Sequence, residues 1–249
     1  MRDFPQGGKT MGKLFRPKDK LSQARYVGIN TFMKLPLVEN VEDLENDDKA
    51  DFAIVGYPED GGCSFRPGQR FAPNYIRRFS EQMRPYNEPL DVNIYEELQG
   101  FDNGDINVAF PYSEHNFNLA VEKLTALAER GIIPITLGGD HMITAASLKA
   151  MSDVYGKIGL IHFDSHTDTW PSDAYGGTYN NGTSLYKGVT EGWIDPERTI
   201  SIGIKGTLFQ RGEWNHSTDL GIKLITMSEF EKIGVEETVR QIKERVGDG

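Results

Sequence analysis

The 249-residue sequence contains very little cysteine, since Cys63 is its one thiol. A lone thiol cannot form an intrachain disulfide, which favours a reducing compartment. No apolar run approaches the ~18 residues that cross a bilayer, and the polar N-terminus does not resemble a secretory signal. We therefore expect a cytoplasmic protein with no membrane partner.

Positive charge is also scarce. Lysine and arginine number 27 against 37 aspartates and glutamates, so the formal net charge is −10. Phosphate binding needs a basic face, and this balance disfavours nucleic acid as a partner. It suits a small cationic substrate weakly, because net charge steers encounters without defining a site. The 38% hydrophobic and 26% charged fractions are ordinary for a globular chain and exclude collagen, coiled coil and general disorder.

The pattern divides the chain into an N-terminal arm and linker over residues 1–50 and one α/β domain over residues 51–249. In the second part, short apolar runs alternate with helical stretches, which is typical of a parallel sheet covered on both faces. Strands are predicted at residues 52–57, 132–137, 158–163, 199–204 and 222–226. Helices are predicted at residues 74–80, 113–130, 142–151 and 235–246, and the last of them begins near Ser228 or Gly234.

Two of these strands run directly into metal-binding residue types. Strand 132–137 leads into Gly-Gly-Asp-His, ending at His141, and strand 158–163 leads into Asp-Ser-His-Thr-Asp over residues 164–168. Ligands collect beyond the carboxyl ends of parallel strands, and i, i+2, i+4 spacing in extended chain places side chains on one side. Either motif alone could be a hydrogen-bonded turn or strand end. Together they predict a site for Mn²⁺, Ni²⁺, Co²⁺ or Zn²⁺ rather than Mg²⁺ or Ca²⁺. The predicted ligands are His141, Asp164, His166 and Asp168.

Two neighbours of these ligands have less certain roles. Asp140 is expected to orient a ligand histidine or a backbone turn. The role of His162 is open, and a hydrogen-bonded core histidine is the simpler interpretation.

The two motifs, in this order, resemble the first two metal motifs of the arginase–agmatinase–formiminoglutamase (ureohydrolase) family. Residues 56–77 resemble that family's first βα loop, in which an Asp-Gly pair precedes an R-x-G-x-R-x-x-P run. Residues 28–36 resemble the N-terminal segment of agmatinases.

This resemblance implies a three-layer α/β/α sandwich with a mainly parallel sheet, and a trimer or hexamer. It implies two divalent ions, Mn²⁺ in the first place and Ni²⁺ as the alternative, that activate a shared water. His141 would bind one ion, His166 the other, and Asp164 would bridge them. Asp168 would bind the first ion and act as a catalytic residue that accepts a hydrogen bond from the nucleophile. The reaction would cleave a guanidine-type C–N bond and release urea.

The sequence departs from the family at its C-terminal end. The third metal motif, of the form S-x-D-x-D-x-x-D-P, is missing, and the sequence stops at residues 246–249, where that strand would begin. We therefore expect a truncated sequence with an incomplete catalytic domain. With four of the family's six ligands, this chain is expected to bind metal poorly and to turn over little.

A second departure concerns proton transfer. Many relatives carry a His-Gly pair in the long loop, whereas this sequence has Asn181-Gly182. An amide cannot exchange protons near neutral pH, so Asn181 marks an altered catalytic position. This argues against arginine or agmatine as substrate and favours guanidine, a small alkylguanidine or a biguanide. In the loop after the first strand, Asp60, Arg66 and Arg70 are expected to form bracing ion pairs, and Cys63 is expected to line the pocket.

Two other functions fit part of the pattern. A deacetylase-like metal amidohydrolase also uses an Asp-x-His pair, but the GGDH motif and residues 56–77 fit ureohydrolases better. A non-catalytic structural subunit that assembles with an active paralogue would explain the missing ligands and Asn181.

Overall fold

The computed structural model describes residues 24–45, 49–171 and 177–247. Most of the predicted N-terminal arm, part of the acidic linker and part of the long loop lie outside these ranges. Residues 24–45 pack on the rest of the protein, burying Met33, Leu35, Val41 and Leu44. The boundary near residue 50 between an arm and a catalytic domain stays a prediction.

The described residues form an α/β structure. Its strands are β1 (Phe52–Tyr57), β2 (Tyr86–Asn87), β3 (Val92–Asn93), β4 (Gly100–Asp105), β5 (Ile133–Gly138), β6 (Ile158–Phe163), β7 (Ile194–Ile204) and β8 (Lys223–Thr226). Its helices are α1 (Ala72–Ser80), α2 (Ile94–Glu97), α3 (Ser113–Glu129), α4 (Met142–Tyr155), α5 (Ser184–Thr190), α6 (Asn215–Asp219) and α7 (Met227–Val246). Within the described ranges, no helix combines the length and apolar character needed to cross a membrane.

The strands confirm the predicted parallel α/β class. Strands β4, β1 and β5 form one three-stranded parallel sheet, and β6, β7 and β8 form another. Strands β2 and β3 make a short antiparallel pair. The predicted mainly parallel sheet thus appears, among the described strands, as two hydrogen-bonded sets of three parallel strands.

Alternate side chains on β5 and β6 are exposed, whereas the pattern predicted a sheet covered on both faces. Within the described residues, each of them pairs with a strand on one edge only. Ile133 on β5 and Phe163 on β6 are 66% and 69% exposed. Continuous apolar runs indicate strands but cannot reveal which edges are covered.

Local sequence explains two other differences from the predicted elements. Helix α7 begins at Met227, beside the earlier of its two predicted starts, Ser228, because Thr226 and Glu229 form a reciprocal capping box. Gly234, the other predicted start, interrupts the helical backbone with φ at 76°. Strand β4 was not predicted, because its sequence GFDNGD is polar and lacks an apolar run.

Two apolar cores hold the sheets to their helices. The larger one combines β1 residues such as Val55 and Tyr57 with residues of α3 and α4, including Leu124 and Leu148. In the smaller core, apolar residues of β7 and β8 pack against α7. Both sheets therefore bury apolar surface, which is the main favourable term in folding.

A buried ion pair attaches α1 to β4. The Arg77 guanidinium donates to both carboxylate oxygens of Asp102, at 2.8 and 2.9 Å, and also pairs with Asp105. Arg77 and Asp102 are almost completely buried. Asp102 also accepts a hydrogen bond from the backbone N–H of Phe32, at 2.7 Å. One carboxylate thus connects α1, β4 and the N-terminal segment.

We expect Arg77→Met to destabilise the protein by about 3–5 kcal/mol, because it leaves the Asp102 charge buried without its partner. The free energy of unfolding in urea would measure this loss. Arg78→Met is the matched control, since Arg78 is exposed on the same helix and should change stability by no more than about 0.5 kcal/mol. Equal losses in the two variants would contradict the structural role given to Arg77.

Candidate metal centre

Two strand ends bring titratable side chains together. Beyond β5, the chain turns through Gly139 and Asp140 to His141, and α4 starts at the next residue. Beyond β6, it continues directly into Asp164. One cluster results, in which the nearest nitrogen and oxygen atoms all lie within 4.8 Å of one another. The cluster consists of His141, His162, Asp164 and Asp168.

The two imidazoles face the same pair of carboxylate oxygens. His141 Nδ1 lies 2.9 Å from Asp168 Oδ2 and 3.9 Å from Asp164 Oδ2. His162 Nε2 lies 3.4 Å from Asp168 Oδ2 and 3.8 Å from Asp164 Oδ2. The two rings are nearly parallel, with an angle of 15° between their planes. This arrangement places two nitrogen and two oxygen donors around a common point.

Asp168 is buried and nevertheless ionised. Burial alone would raise its pKa, but the adjacent His141 and His162 imidazoles outweigh that effect and lower the pKa of Asp168 to about 2. Burial lowers the pKa of His141, yet the neighbouring carboxylates, Asp168 first among them, raise it overall. Within the described residues, Asp168 Oδ2 and His162 Nε2 make no hydrogen bond of regular geometry. Each therefore retains an unused lone pair or proton that points into the cluster.

His166 lies outside this cluster, although the sequence predicts it as a ligand. Its side chain is 61% exposed, and its Nδ1 is 3.6 Å from Asp164 Oδ1. The two oxygens of Asp164 thus face different imidazoles: Oδ2 faces His141 and His162, and Oδ1 faces His166. The structure brings three of the four predicted ligands together and places the fourth beside the outer oxygen of Asp164.

His162 is the cluster member whose role the sequence left open. It lies on β6, two residues before Asp164, and alternation along the strand puts both side chains on one face. Its Nδ1 lies 2.9 Å from Ser201 Oγ on the paired strand β7. The i, i+2 spacing from Asp164 was the available signal, whereas the distant partner Ser201 could not be seen in the sequence.

The side chain of Asp140 orients a backbone turn, in agreement with the prediction. Its two carboxylate oxygens accept hydrogen bonds from the backbone N–H groups of Gly62, at 2.6 Å, and Met142, at 2.9 Å. Burial raises the pKa of Asp140 to about 6, although both of these hydrogen bonds oppose the rise. Asp140 thereby ties the start of α4 to the loop after β1.

Asn181 connects the same loop to His141. Its Oδ1 accepts a hydrogen bond from the His141 backbone N–H at 3.0 Å, and its Nδ2 lies 3.6 Å from Cys63 Sγ. Its own backbone N–H donates to Gly62 O at 3.1 Å. The side chain of Asn181, which stands at the predicted proton-transfer position, therefore holds the His141 backbone and contacts Cys63.

The loop after β1 is held by one of the expected ion pairs. The Arg70 guanidinium beside Asp60 lowers the pKa of that carboxyl to about 2. Arg66 instead lies over the ring of Phe65, 5.4 Å from its centroid. Burial raises the pKa of the Cys63 thiol. The thiol therefore lines the site and is not an activated nucleophile.

Close backbone contact fixes the turn that carries His141. The Gly139 and Asp140 N–H groups donate to the carbonyls of Tyr57 and Glu59 at 3.1 and 2.7 Å. A Cβ atom at position 139 would lie 2.2 Å from Tyr57 O and 2.3 Å from Glu59 O. A residue without a side chain is therefore required where the turn crosses the end of β1.

We expect Gly139→Ala to lower stability by about 3 kcal/mol, because backbone atoms cannot move aside as a side chain can. Gly138→Ala is the control, since a Cβ there would meet Ile143 at an ordinary 3.4 Å and should cost no more than about 1 kcal/mol. Thermal unfolding of both variants would measure the difference. A similar melting temperature for both would show that the turn does not depend on this contact.

Comparison with known proteins identifies the family of this chain. Residues 50–249 match the arginase family, and the chain belongs to it. It is 34% identical to putative agmatinase 1 of Schizosaccharomyces pombe over 94% of this chain and 66% of that protein. The chain spans about two thirds of the length of the curated relatives it matches.

Solved structures agree on the fold. Proclavaminate amidinohydrolase of Streptomyces clavuligerus superposes with a TM-score of 0.82 at 32% identity, over 91% of this chain and 73% of that one. Formiminoglutamase of Trypanosoma cruzi, solved with two Mn²⁺ ions, superposes with a TM-score of 0.72 at 25% identity, over 80% of this chain and 67% of that one. The arginase-like α/β fold predicted from the motifs is thereby confirmed.

Proposed function

We propose that this chain forms the core of a dinuclear-metal ureohydrolase, which hydrolyses a guanidine-type C–N bond in a small cationic substrate and releases urea. The observation that carries the proposal is the His–Asp cluster at the ends of β5 and β6, in a chain of the arginase family. The relatives named above include an agmatinase and an amidinohydrolase, and both names refer to the cleavage of guanidino compounds.

The cluster residues fit a divalent ion. Two buried atoms that face each other, His162 Nε2 and Asp168 Oδ2, have no regular hydrogen bond in the described part of the chain. Buried polar atoms are rarely left so, and a missing ion is one cause of such an exception. Mixed imidazole and carboxylate donors suit Mn²⁺ and Ni²⁺. We favour Mn²⁺, which one structural neighbour carries, with Ni²⁺ as the alternative.

Asp164 and Asp168 would have different roles in this reaction. Asp164, with one oxygen toward His141 and the other toward His166, would contribute to the binding of both divalent ions. Divalent ions held there would supply an acidified water molecule as nucleophile. Asp168 stays ionised at neutral pH, so its carboxylate can accept a hydrogen bond from that water and orient it toward the guanidine carbon.

The proposed substrate range follows from the chemistry of Asn181. Its amide braces His141 and Cys63 and cannot carry a proton to a leaving amine near neutral pH. Substrates whose leaving group needs little such help, namely guanidine, a small alkylguanidine or a biguanide, are favoured over agmatine and arginine. A trimer or hexamer in the cytoplasm, with or without a paralogous subunit, completes the proposal.

Urea release tests the proposal directly. The full product of the gene would be loaded separately with Mn²⁺ and Ni²⁺ and assayed on guanidine, agmatine, arginine, guanidinobutyrate and dimethylbiguanide. We expect urea from at least one of these, most rapidly from a small guanidine. His166→Ala should reduce the rate by about 100-fold or more, as expected when an ion loses a protein ligand.

His115→Ala is the matched control, because His115 is exposed on α3 and takes no part in the cluster. It should leave the rate unchanged. No urea from any substrate, together with no bound metal by elemental analysis, would contradict the enzyme and favour the structural subunit that assembles with an active paralogue.

A further inference from the structure

Lys187 is a charged side chain in the interior of the protein. It lies on α5, and only 7% of its surface is exposed. Lysine is almost never so buried unless its charge is paired. Its Nζ lies 5.2 Å from the ring centroid of Tyr179 and 5.6 Å from that of Trp193, and a cation is attracted to an aromatic face within ~6 Å. Two aromatic rings therefore stabilise the charge of Lys187.

The ring of Tyr179 is also held by a neighbouring aromatic side chain. Phe117, on α3, has its ring centroid 5.4 Å from that of Tyr179 and 6.1 Å from that of Trp193. Burial raises the pKa of Tyr179, so the ring beside Lys187 is that of a neutral phenol. We name these four side chains the lysine–aromatic cluster. It connects α3, α5 and the residue before β7 to the loop over residues 177–183.

The loop that Tyr179 anchors reaches the His–Asp cluster. Asn181 follows Tyr179 by two residues, and its Oδ1 accepts a hydrogen bond from the His141 backbone N–H at 3.0 Å. Its own N–H donates to Gly62 O at 3.1 Å. Two residues span at most about 7 Å of chain. A shift of Tyr179 is therefore transmitted to the turn that carries His141.

Helix α5 holds the His–Asp cluster from a second direction. Ser184 Oγ, at the start of the helix, donates to the His141 carbonyl at 3.0 Å. The N–H groups of the next two residues donate to the Asp168 carbonyl at 2.9 and 3.2 Å. The 177–183 loop and α5 thus both contact the backbone of the candidate ligands, and the lysine–aromatic cluster joins the loop to the helix.

We infer that Lys187 is a positioning residue: its cation–π contact with Tyr179 fixes the 177–183 loop against α5 and thereby sets the backbone positions of His141 and Asp168. Lys187 acts through the loop and the helix. Its consequence for catalysis rests on the proposed function. The positioning itself requires neither a metal ion nor urea release, so it can be measured on the metal-free chain.

Hydrogen exchange of the metal-free chain, followed by mass spectrometry, tests the inference. Lys187→Met removes the charge and keeps an unbranched side chain. Peptides that cover residues 181–186 should then exchange about 10-fold faster, because losing a buried cation–π contact makes local opening easier. Peptides from α7 should exchange at the unmodified rate, since α7 packs in the other apolar core.

Two variants of Tyr179 separate the ring from the rest of the side chain. Tyr179→Phe keeps an aromatic face beside Lys187 and should leave the exchange of residues 181–186 within about twofold of the unmodified rate. Tyr179→Leu removes the ring and should match Lys187→Met. Lys149→Met is the matched lysine control, because Lys149 lies on α4 and pairs with Asp153 of the same helix. It should not change this exchange.

The catalytic consequence is measured on the full gene product loaded with Mn²⁺. Lys187→Met should lower kcat by about 10-fold and keep KM within about twofold, because it alters the geometry of the His–Asp cluster and not the contacts to substrate. Lys149→Met should leave both constants unchanged. Far-ultraviolet circular dichroism checks that each variant folds, and Tyr179→Leu serves if Lys187→Met does not.

Four results would overturn the inference. The first is unchanged exchange of residues 181–186 in Lys187→Met. The second is an equal acceleration in the α7 peptides, which would make Lys187 a general stabiliser. The third is equally fast exchange in Tyr179→Phe and Tyr179→Leu. The fourth is an unchanged kcat in Lys187→Met despite faster exchange of the loop. The expected local exchange, without urea from any substrate in the unmodified full gene product, would contradict the proposed function and leave the positioning by Lys187 standing.

Discussion

The backbone contact between the end of β1 and the Gly139 turn is the constraint on which the site depends. Parallel pairing of β1 with β5 aligns Tyr57 with Gly138, and the turn then crosses β1 so closely that no side chain fits at Gly139. This contact fixes the backbone that leads to His141, whose side chain faces Asp168. The hydrogen bonds of Asp140 and Asn181 to the same loop reinforce a position that sheet register has already set.

The surrounding structure constrains both the backbone and the side chain of Asp168. Its backbone adopts the left-handed conformation, with φ at 49°, which aspartate tolerates better than most residues. Its carbonyl accepts hydrogen bonds from the N–H groups of Leu185 and Tyr186 at the start of α5. The backbone is thus held by one helix while the side chain faces two imidazoles. A buried carboxylate stays charged only with such compensation, so the cluster must carry positive charge, as protons or as a metal ion.

The sequence predicted most of this fold because local patterns encode it. Strands β1, β5 and β6 and helix α3 follow from apolar runs and periodicity, and the strand-end rule placed His141, Asp164 and Asp168 together. Strand β4 was missed because its buried Asp102 owes its place to Arg77 on another element, a pairing that periodicity cannot reveal. His162 was left open for the same reason, since Ser201 lies 39 residues away. The exposure of side chains on β5 and β6 depends on neighbouring elements and not on local sequence.

The two carboxylate oxygens of Asp164 are compatible with a dinuclear centre. Asp164 presents Oδ2 to the side of the cluster shared by His141 and His162, and Oδ1 to the side of His166. An ion bound on the first side would occupy only one of the two carboxylate oxygens. The second oxygen, beside an exposed imidazole, would remain available for another ion whose other ligands come from elsewhere. The two sides therefore need not have equal affinity: the first includes the buried His162 and Asp168, whereas the second has the more exposed His166.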